Sequence, residues 1–275
     1  MKIALVQQSC TEDKKLNLSR GLKAAREAAS SGADIICFAE LAFEPFYPQY
    51  QDPKDPAKHA ESIPGPITDA FSEIAKEFGV VIVLNLYERE GDSLYDLYDS
   101  SPVINTDGTI LGTTRMVHIT DYACFYEQAY YTPGNNGAPV YETPFGKIGV
   151  AICYDRHYPE YMRALAVAGA EIVFIPQAGS VGEWPDGLYE AEVRTASFQN
   201  GYFTALCNRV GEEAKLTFAG ESFICDPEGK VIARAGTGTE EILYCDVDLE
   251  EVKSSHAQRL FLRDRRPELY RDWIE

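Results

Sequence analysis

Apolar residues come in short blocks along this chain, and between the blocks their spacing changes to that of a helix. Ile3 to Val6 is a strand-like run, after which Leu18, Leu22, Ala25 and Ala29 recur at helical intervals through residues 14 to 30. Gly32 stops that helix, and Ile35, Ile36, Cys37 and Phe38 form the next buried strand. The stretch from Pro45 to Pro66 is rich in proline and aromatics and predicts a long loop. A second helix near Thr68 to Phe78 carries Phe71, Ile74, Ala75 and Phe78 on one face, and Gly79 ends it. Val80 to Leu86 is then a strand. Turns at Glu90-Gly91-Asp92 and Asp107-Gly108 bracket another strand, Leu94 to Asn105, and lead into a further one.

The second half repeats the alternation. Val117 to Pro139 has few periodic positions, and so long a loop in a compact domain is usually functional. Lys147 to Ile152 is a strand, Pro159 suits the first turn of a helix over 160–168, and Glu171 to Ile175 is a strand. Leu188 to Gln199 reads as a helix. Strands follow near Tyr202 to Cys207, Ser222 to Cys225, Val231 to Ala235 and Ile242 to Val247. From Glu250 the chain is charged and reads as a solvated arm. Strands mixed with helices in both halves predict a layered α/β fold with helices outside mixed sheets. No low-complexity linker and no fixed-period repeat divides residues 1–275, so they are read as one domain.

Composition narrows the function. Hydrophobic residues at 45% and charged residues at 25% are ordinary for a globular chain of this size. The net charge of −18 repels phosphate backbones and anionic lipid, which argues against nucleic acid and membrane as partners. No apolar run has transmembrane length, and the one after Lys2 is too short for a signal peptide. The expectation is a cytoplasmic protein beginning at Met1. Seven cysteines with no CxxC pair suggest neither a zinc site nor a disulfide framework.

Three segments carry candidate chemistry. Glu40 ends a buried strand in Phe38-Ala39-Glu40-Leu41, and Glu127 lies in the loop from Arg115 to Gly134. Cys153 lies between a buried strand and a helix start, in Gly149 to Glu160. On such a turn a thiol meets backbone N–H groups that favour its thiolate and can hold an oxyanion. Taken singly, each residue has an ordinary explanation. A free cysteine is often buried core, Glu40 could cap a helix or pair with a cation, Glu127 could be a solvated charge, and His118 a hydrogen-bonding loop residue. Only four histidines are present, which disfavours a histidine-based triad.

Together the segments resemble the carbon–nitrogen hydrolase (nitrilase) superfamily, in its amidase and N-carbamoyl amidase branches. The resemblance runs through AELAF, FYEQAYYTPG, GVAICYDRHYPE and DRRPELY. It implies a four-layer α-β-β-α sandwich and assembly into dimers or larger homo-oligomers, with the arm from about residue 250 packed on a neighbour. It implies a metal-free and cofactor-free site, with Cys153 as nucleophile, Glu40 as general base and Glu127 as second glutamate. The family also uses a lysine, and here Met116 stands at its position, in Arg115-Met116-Val117-His118. Arg115 points to the opposite face of a strand and would need a bulge to reach the site.

Around this core, Tyr154, Arg156 and His118 are the candidate oxyanion or substrate contacts. Arg156 suits a substrate carboxylate, or an internal pair with Asp155 or Glu160. Tyr47 and Trp184 could line the pocket or pack. Two readings stand. One is cysteine-dependent hydrolysis of a small linear amide or N-carbamoyl compound through a thioester. The other is a family member impaired by Met116 that binds a ligand or builds an assembly.

Overall fold

The structure, a computed structural model, describes residues 1–274. Its strands are β1 (Lys2–Gln7), β2 (Ile35–Phe38), β3 (Val81–Val83), β4 (Leu86–Arg89), β5 (Leu97–Ile104), β6 (Ile110–Arg115), β7 (Val140–Thr143), β8 (Gly146–Val150), β9 (Ile172–Gln177), β10 (Phe203–Asn208), β11 (Val210–Glu212), β12 (Thr217–Ala219), β13 (Phe223–Cys225), β14 (Val231–Arg234) and β15 (Glu241–Asp246). The α-helices are α1 (Lys14–Ser30), α2 (Pro66–Phe78), α3 (Pro159–Val167), α4 (Leu188–Asn200), α5 (Glu250–Ser254) and α6 (Pro267–Ile274).

One sheet runs β15-β1-β2-β3-β5-β4, with β6 also paired to β5; a second runs β14-β13-β10-β9-β8-β7, and β11 pairs with β12 in a separate ribbon. β1, β2 and β3 are mutually parallel, as are β8, β9 and β10. Alternation along each strand sends one set of side chains to each face. Ile3, Leu5, Ile35 and Cys37 of the first sheet meet Val150, Phe174, Phe203 and Ala205 of the second in one central core. The alternate residues Ala4, Val6, Ile36 and Phe38 pack under α1 and α2 through Ala25, Ala28, Phe71 and Ile74. Val173, Ile175 and Leu206 pack under α3 and α4 through Met162, Leu165 and Val193. The result is the expected four-layer α-β-β-α sandwich.

Four segments depart from the sequence pattern. Val80 to Leu86 is two strands, because the chain breaks at Leu84-Asn85 and Asn85 turns its amide inward. The predicted loop 45–66 contains 3-10 turns at Tyr47–Gln49 and Pro56–His59. After Cys153 the chain makes a 3-10 turn over Cys153–His157, and α3 begins only at Pro159. The charged arm contains α5, a π-helical turn at Ala257–Phe261, and α6. Among the described residues no helix is long and apolar enough to cross a membrane.

Phe174 sits fully buried between the sheets, so Phe174→Ala is expected to cost about 3–5 kcal/mol in urea denaturation. Tyr95 is 85% exposed, and Tyr95→Ala is expected to stay within about 0.5 kcal/mol of the parent. Similar losses for the two would contradict the assigned core.

Candidate active site

The C-terminal ends of parallel strands are where α/β sheets gather ligands, since the loops that leave them diverge. β2 ends two residues before Glu40, and β8 ends three residues before Cys153. Both exits are strained. Leu41 has φ 46° and Cys153 has φ 41°, a left-handed conformation that side chains other than glycine rarely adopt. At Leu41 the strain is held by Asn85, whose Oδ1 accepts the Leu41 N–H at 2.8 Å. Arg209 braces the same loop, donating to the carbonyls of Glu40, Leu41 and Glu44 and pairing with Glu213.

Glu127 opens a 3-10 turn, Glu127–Ala129, within the long loop. Glu40, Glu127 and Cys153 converge there: their carboxylate oxygens and thiol sulfur lie within 4.8 Å of one another. Glu40 and Glu127 are fully buried and Cys153 is 5% exposed. Both Glu40 oxygens and Glu127 Oε1 lack hydrogen-bond partners, while Glu127 Oε2 accepts the Thr120 N–H at 3.2 Å. Three such donors could also hold a cation, which would take them ionised.

Burial raises the Glu40 carboxyl to about 8, with the Glu127 charge adding to it. Burial likewise raises Glu127, opposed by the Thr120 N–H and reinforced by the Asp99 charge. The Cys153 thiol is pushed well above its ordinary range by burial, then by Glu40 and Glu127. A single short 3-10 turn begins at Cys153, where the sequence predicts a helix start. Gln177 Nε2 donates to the sulfur at 3.1 Å.

Met116 is 1% exposed within the central core, just past β6. Arg115 goes the other way, as strand alternation requires. It forks onto Glu88 at 2.6 and 2.9 Å, reaches Glu90, and lies over the Tyr98 ring. His118 braces the elbow from outside: its Nδ1 is 2.7 Å from Asp155 Oδ1, and its ring stacks on Tyr158 at 3.5 Å. Arg156 is paired internally, but not with Asp155 or Glu160. It donates to the Cys153 carbonyl at 3.0 Å and to Gln177 Oε1 at 3.1 Å. Its Nε lies 3.6 Å from Glu192, and its guanidinium covers the Tyr189 ring. The Tyr154 ring lies edge-on to His157 and Tyr158. Tyr47 donates to Glu44 and stacks on His59, and Trp184 meets Tyr122 and His157 edge-on.

Sequence reasoning missed three residues. Asp99 is fully buried in the middle of β5, a carboxylate in a strand buried from end to end; that mismatch of charge and pattern was the available signal. Arg209 left no signal, since its partners are carbonyls distant in sequence. Glu183 lies on an exposed loop, and only the fold brings Tyr122 and Tyr189 to it. A cavity of about 380 Å³ beside that loop is lined by Gly179, Ser180, Trp184, Tyr189, Asn208 and Arg234, and does not include Cys153.

A family model for carbon–nitrogen hydrolases matches residues 2–257. The chain belongs to the carbon–nitrogen hydrolase family. Among relatives, N-carbamoylputrescine amidase of Solanum lycopersicum is 35% identical, across 98% of this chain and 93% of its own length. A carbon–nitrogen hydrolase from Helicobacter pylori G27 superposes with a TM-score of 0.92 at 29% identity, covering 100% of this chain and 98% of that one. An amidase from Nesterenkonia sp. AN1 superposes with a TM-score of 0.84 at 25% identity, covering 99% and 96%. That structure shows covalent addition of the acetamide moiety of fluoroacetamide at its active site cysteine. This chain is thus an enzyme of the carbon–nitrogen hydrolase family.

A raised carboxyl also carries a stability signature. With Glu40 raised to about 8 from an ordinary 4.5, the folded site retains a carboxyl proton that the unfolded chain has already lost. Its contribution is full below the unfolded value and is lost as pH rises through the folded one. Urea stability is therefore expected to fall from about pH 5 to about pH 8, and to fall less in Glu40→Gln. An unchanged slope in that variant would place the titrating group elsewhere.

Proposed function

We propose that this carbon–nitrogen hydrolase cleaves a small linear amide or N-carbamoyl compound through a thioester on Cys153. The observation that carries this reading is the convergence of Cys153 and two buried carboxyls within 4.8 Å at the strand ends. Glu40 in its ionised form takes the Sγ proton, and the sulfur attacks the carbonyl carbon. The C–N bond breaks, and the leaving nitrogen receives that proton from Glu40. Water, deprotonated by the same carboxylate, then attacks the thioester and restores the thiol. The first N–H groups of a helical turn have no partner within it, which makes the Tyr154 N–H the candidate oxyanion donor. Arg156 and Gln177 hold the elbow, and His118 supports it through Asp155. No step calls for a metal or an organic cofactor.

The charges around the cysteine favour a substrate with a cationic end. The charge of the Arg156 guanidinium is met by Glu192 at 3.6 Å and one of its nitrogens donates to Gln177 and the Cys153 carbonyl, while its other two nitrogens have no hydrogen-bond partner. Glu183 is held as an acceptor by the Tyr122 and Tyr189 hydroxyls at 2.5 Å each and by the Ser180 N–H at 3.0 Å. Among the described residues no cation pairs with Glu183. A held carboxylate without a cation suits an ammonium group. The resemblance to N-carbamoylputrescine amidase agrees, since that name specifies a carbamoylated amine.

The buried Met116 supports the second reading, a ligand-binding or assembly protein without turnover. The whole chain acts as one domain in either case, and a homodimer or larger assembly is expected. Phe198, Phe261, Leu269 and Trp273 leave apolar surface exposed on α4 and the arm, which a second copy would cover.

Ammonia or amine release from a panel of small amides and N-carbamoyl compounds, with an acyl adduct on Cys153 by intact mass, tests the reaction. Both signals are expected to vanish in Cys153→Ala. Their absence in the parent protein leaves the binding reading. Glu183→Gln is expected to lower kcat/KM about ten- to a hundred-fold for N-carbamoyl diamines and to leave uncharged amides nearly unchanged. An equal loss on both would remove Glu183 from substrate recognition. Light scattering on the eluting protein is expected to give at least twice the 30.6 kDa chain mass; a monomer would refute the assembly.

A further inference from the structure

Asp99 is the fourth ionisable group of the site, and the mechanism above leaves it unused. It lies on β5 with its backbone carbonyl accepting the Met116 N–H at 2.9 Å, so it sits beside the position where the sequence lacks a lysine. Its Oδ1 accepts from Asn85 Nδ2 at 2.5 Å. The same Asn85 holds the Leu41 N–H, next to Glu40. Asp99 Oδ2 is fully buried and has no donor, and neither has either oxygen of Glu40. Both carboxyls thus gather at the one Asn85, Asp99 through its own Oδ1 and Glu40 through the adjoining Leu41 N–H.

Two carboxylates cannot both be ionised side by side in a dry site, and two acceptors cannot hydrogen-bond without a proton between them. We propose that Asp99 carries a proton on Oδ2 and donates it to Glu40, so that the pair shares one negative charge and Asp99 positions the base. Asp99 is a positioning residue, because it acts on Cys153 only through Glu40. When the Cys153 S–H bond breaks, its proton goes to Glu40 and the Asp99 proton stays in place. The site thereby does with a proton what a fixed cation would do: it lets one carboxylate remain ionised beside Glu127.

The surroundings leave the pair little other compensation. Glu127 faces it from the 3-10 turn, Cys153 and Asp155 from the elbow, and the partnerless Tyr131 hydroxyl from the loop. Arg209 is the cation acting on Glu40, and its two terminal nitrogens are committed to carbonyls and Glu213. Burial first, and the Glu40 charge second, hold the Asp99 carboxyl well above its ordinary range.

The inference rests on Glu40 as the base, but the proton can be observed without turnover. Protein labelled with ¹³C at the aspartate side-chain carboxyl is expected to show a carboxyl resonance at the protonated position at pH 7, lost in Asp99→Asn. If every aspartate titrates in the ordinary acidic range, or if the resonance persists in Asp99→Asn, the proposal falls. Should that variant not fold, Met116→Lys provides the second arm. Its ammonium is expected to move the resonance to the carboxylate position, and an unmoved resonance overturns the assignment. Positioning is read from the alkylation of Cys153 by iodoacetamide across pH, followed by peptide mass spectrometry. Asn keeps a donor for Glu40, so Asp99→Asn is expected to stay within about threefold of the parent at pH 7, with its profile moved to lower pH. Asp99→Leu is expected to be slower by about tenfold or more. Equal rates in the two variants would reduce Asp99 to a packing role.

Discussion

The burial of several carboxyls and a thiol in one dry site, with no lysine among them, constrains the rest of this structure. Glu40 leaves β2, Asp99 lies inside β5, Glu127 opens a turn in the long loop, and Cys153 follows β8. A charge moved from water to such a place is costly unless it is paired. The groups respond by holding protons, which is why the site's acids and its thiol are all shifted upward by burial before any neighbour acts.

A site with that cost needs a stiff frame. The two parallel strand sets end toward the same region, and the packed core between the sheets fixes their separation. The backbone at Leu41 and Cys153 is strained where the site is built, and polar braces hold it there. Asn85 ties Leu41 to Asp99, Arg209 gathers three consecutive-loop carbonyls, and Arg156 links the Cys153 carbonyl to Gln177. The two buried arginines thus direct their bonded donors to architecture, Arg209 through both terminal nitrogens and Arg156 through one. A buried guanidinium left unpaired would destabilise the fold, so its partners are built in. Within the proposed reading this also sets specificity, because the engagement of Arg156 leaves Glu183 as the charge a substrate meets.

Strand and helix periodicity made most of the scaffold legible. α1, β2 and α2 lie close to where their apolar spacing put them, because each buries one regular face. The pattern failed where a polar side chain was used for a tertiary contact. Asn85 interrupts what reads as a continuous strand, because its amide is needed between Leu41 and Asp99. The turn after Cys153 is 3-10, because Pro159, suited to the first turn of a helix, is where α3 begins. The charged arm forms α5 and α6, where Leu269 and Trp273, one helical turn apart, lie among its charges.

For the site, the chain alone marked Cys153, Glu40 and Glu127 as strand-end and loop residues, and marked Met116 as apolar where the family pattern has a cation. Those are properties of residue type and position, which need no neighbours to be read. Whether the three groups meet, and in which protonation state, depends on distance and solvent exclusion between segments far apart in sequence. Only the tertiary structure decided that. It also decided that Arg156 faces Glu192, that Glu183 is held by hydroxyls and an N–H and not by a cation among the described residues, and that Asp99 joins the acids, since each is a fact about partners brought together by packing and not by sequence.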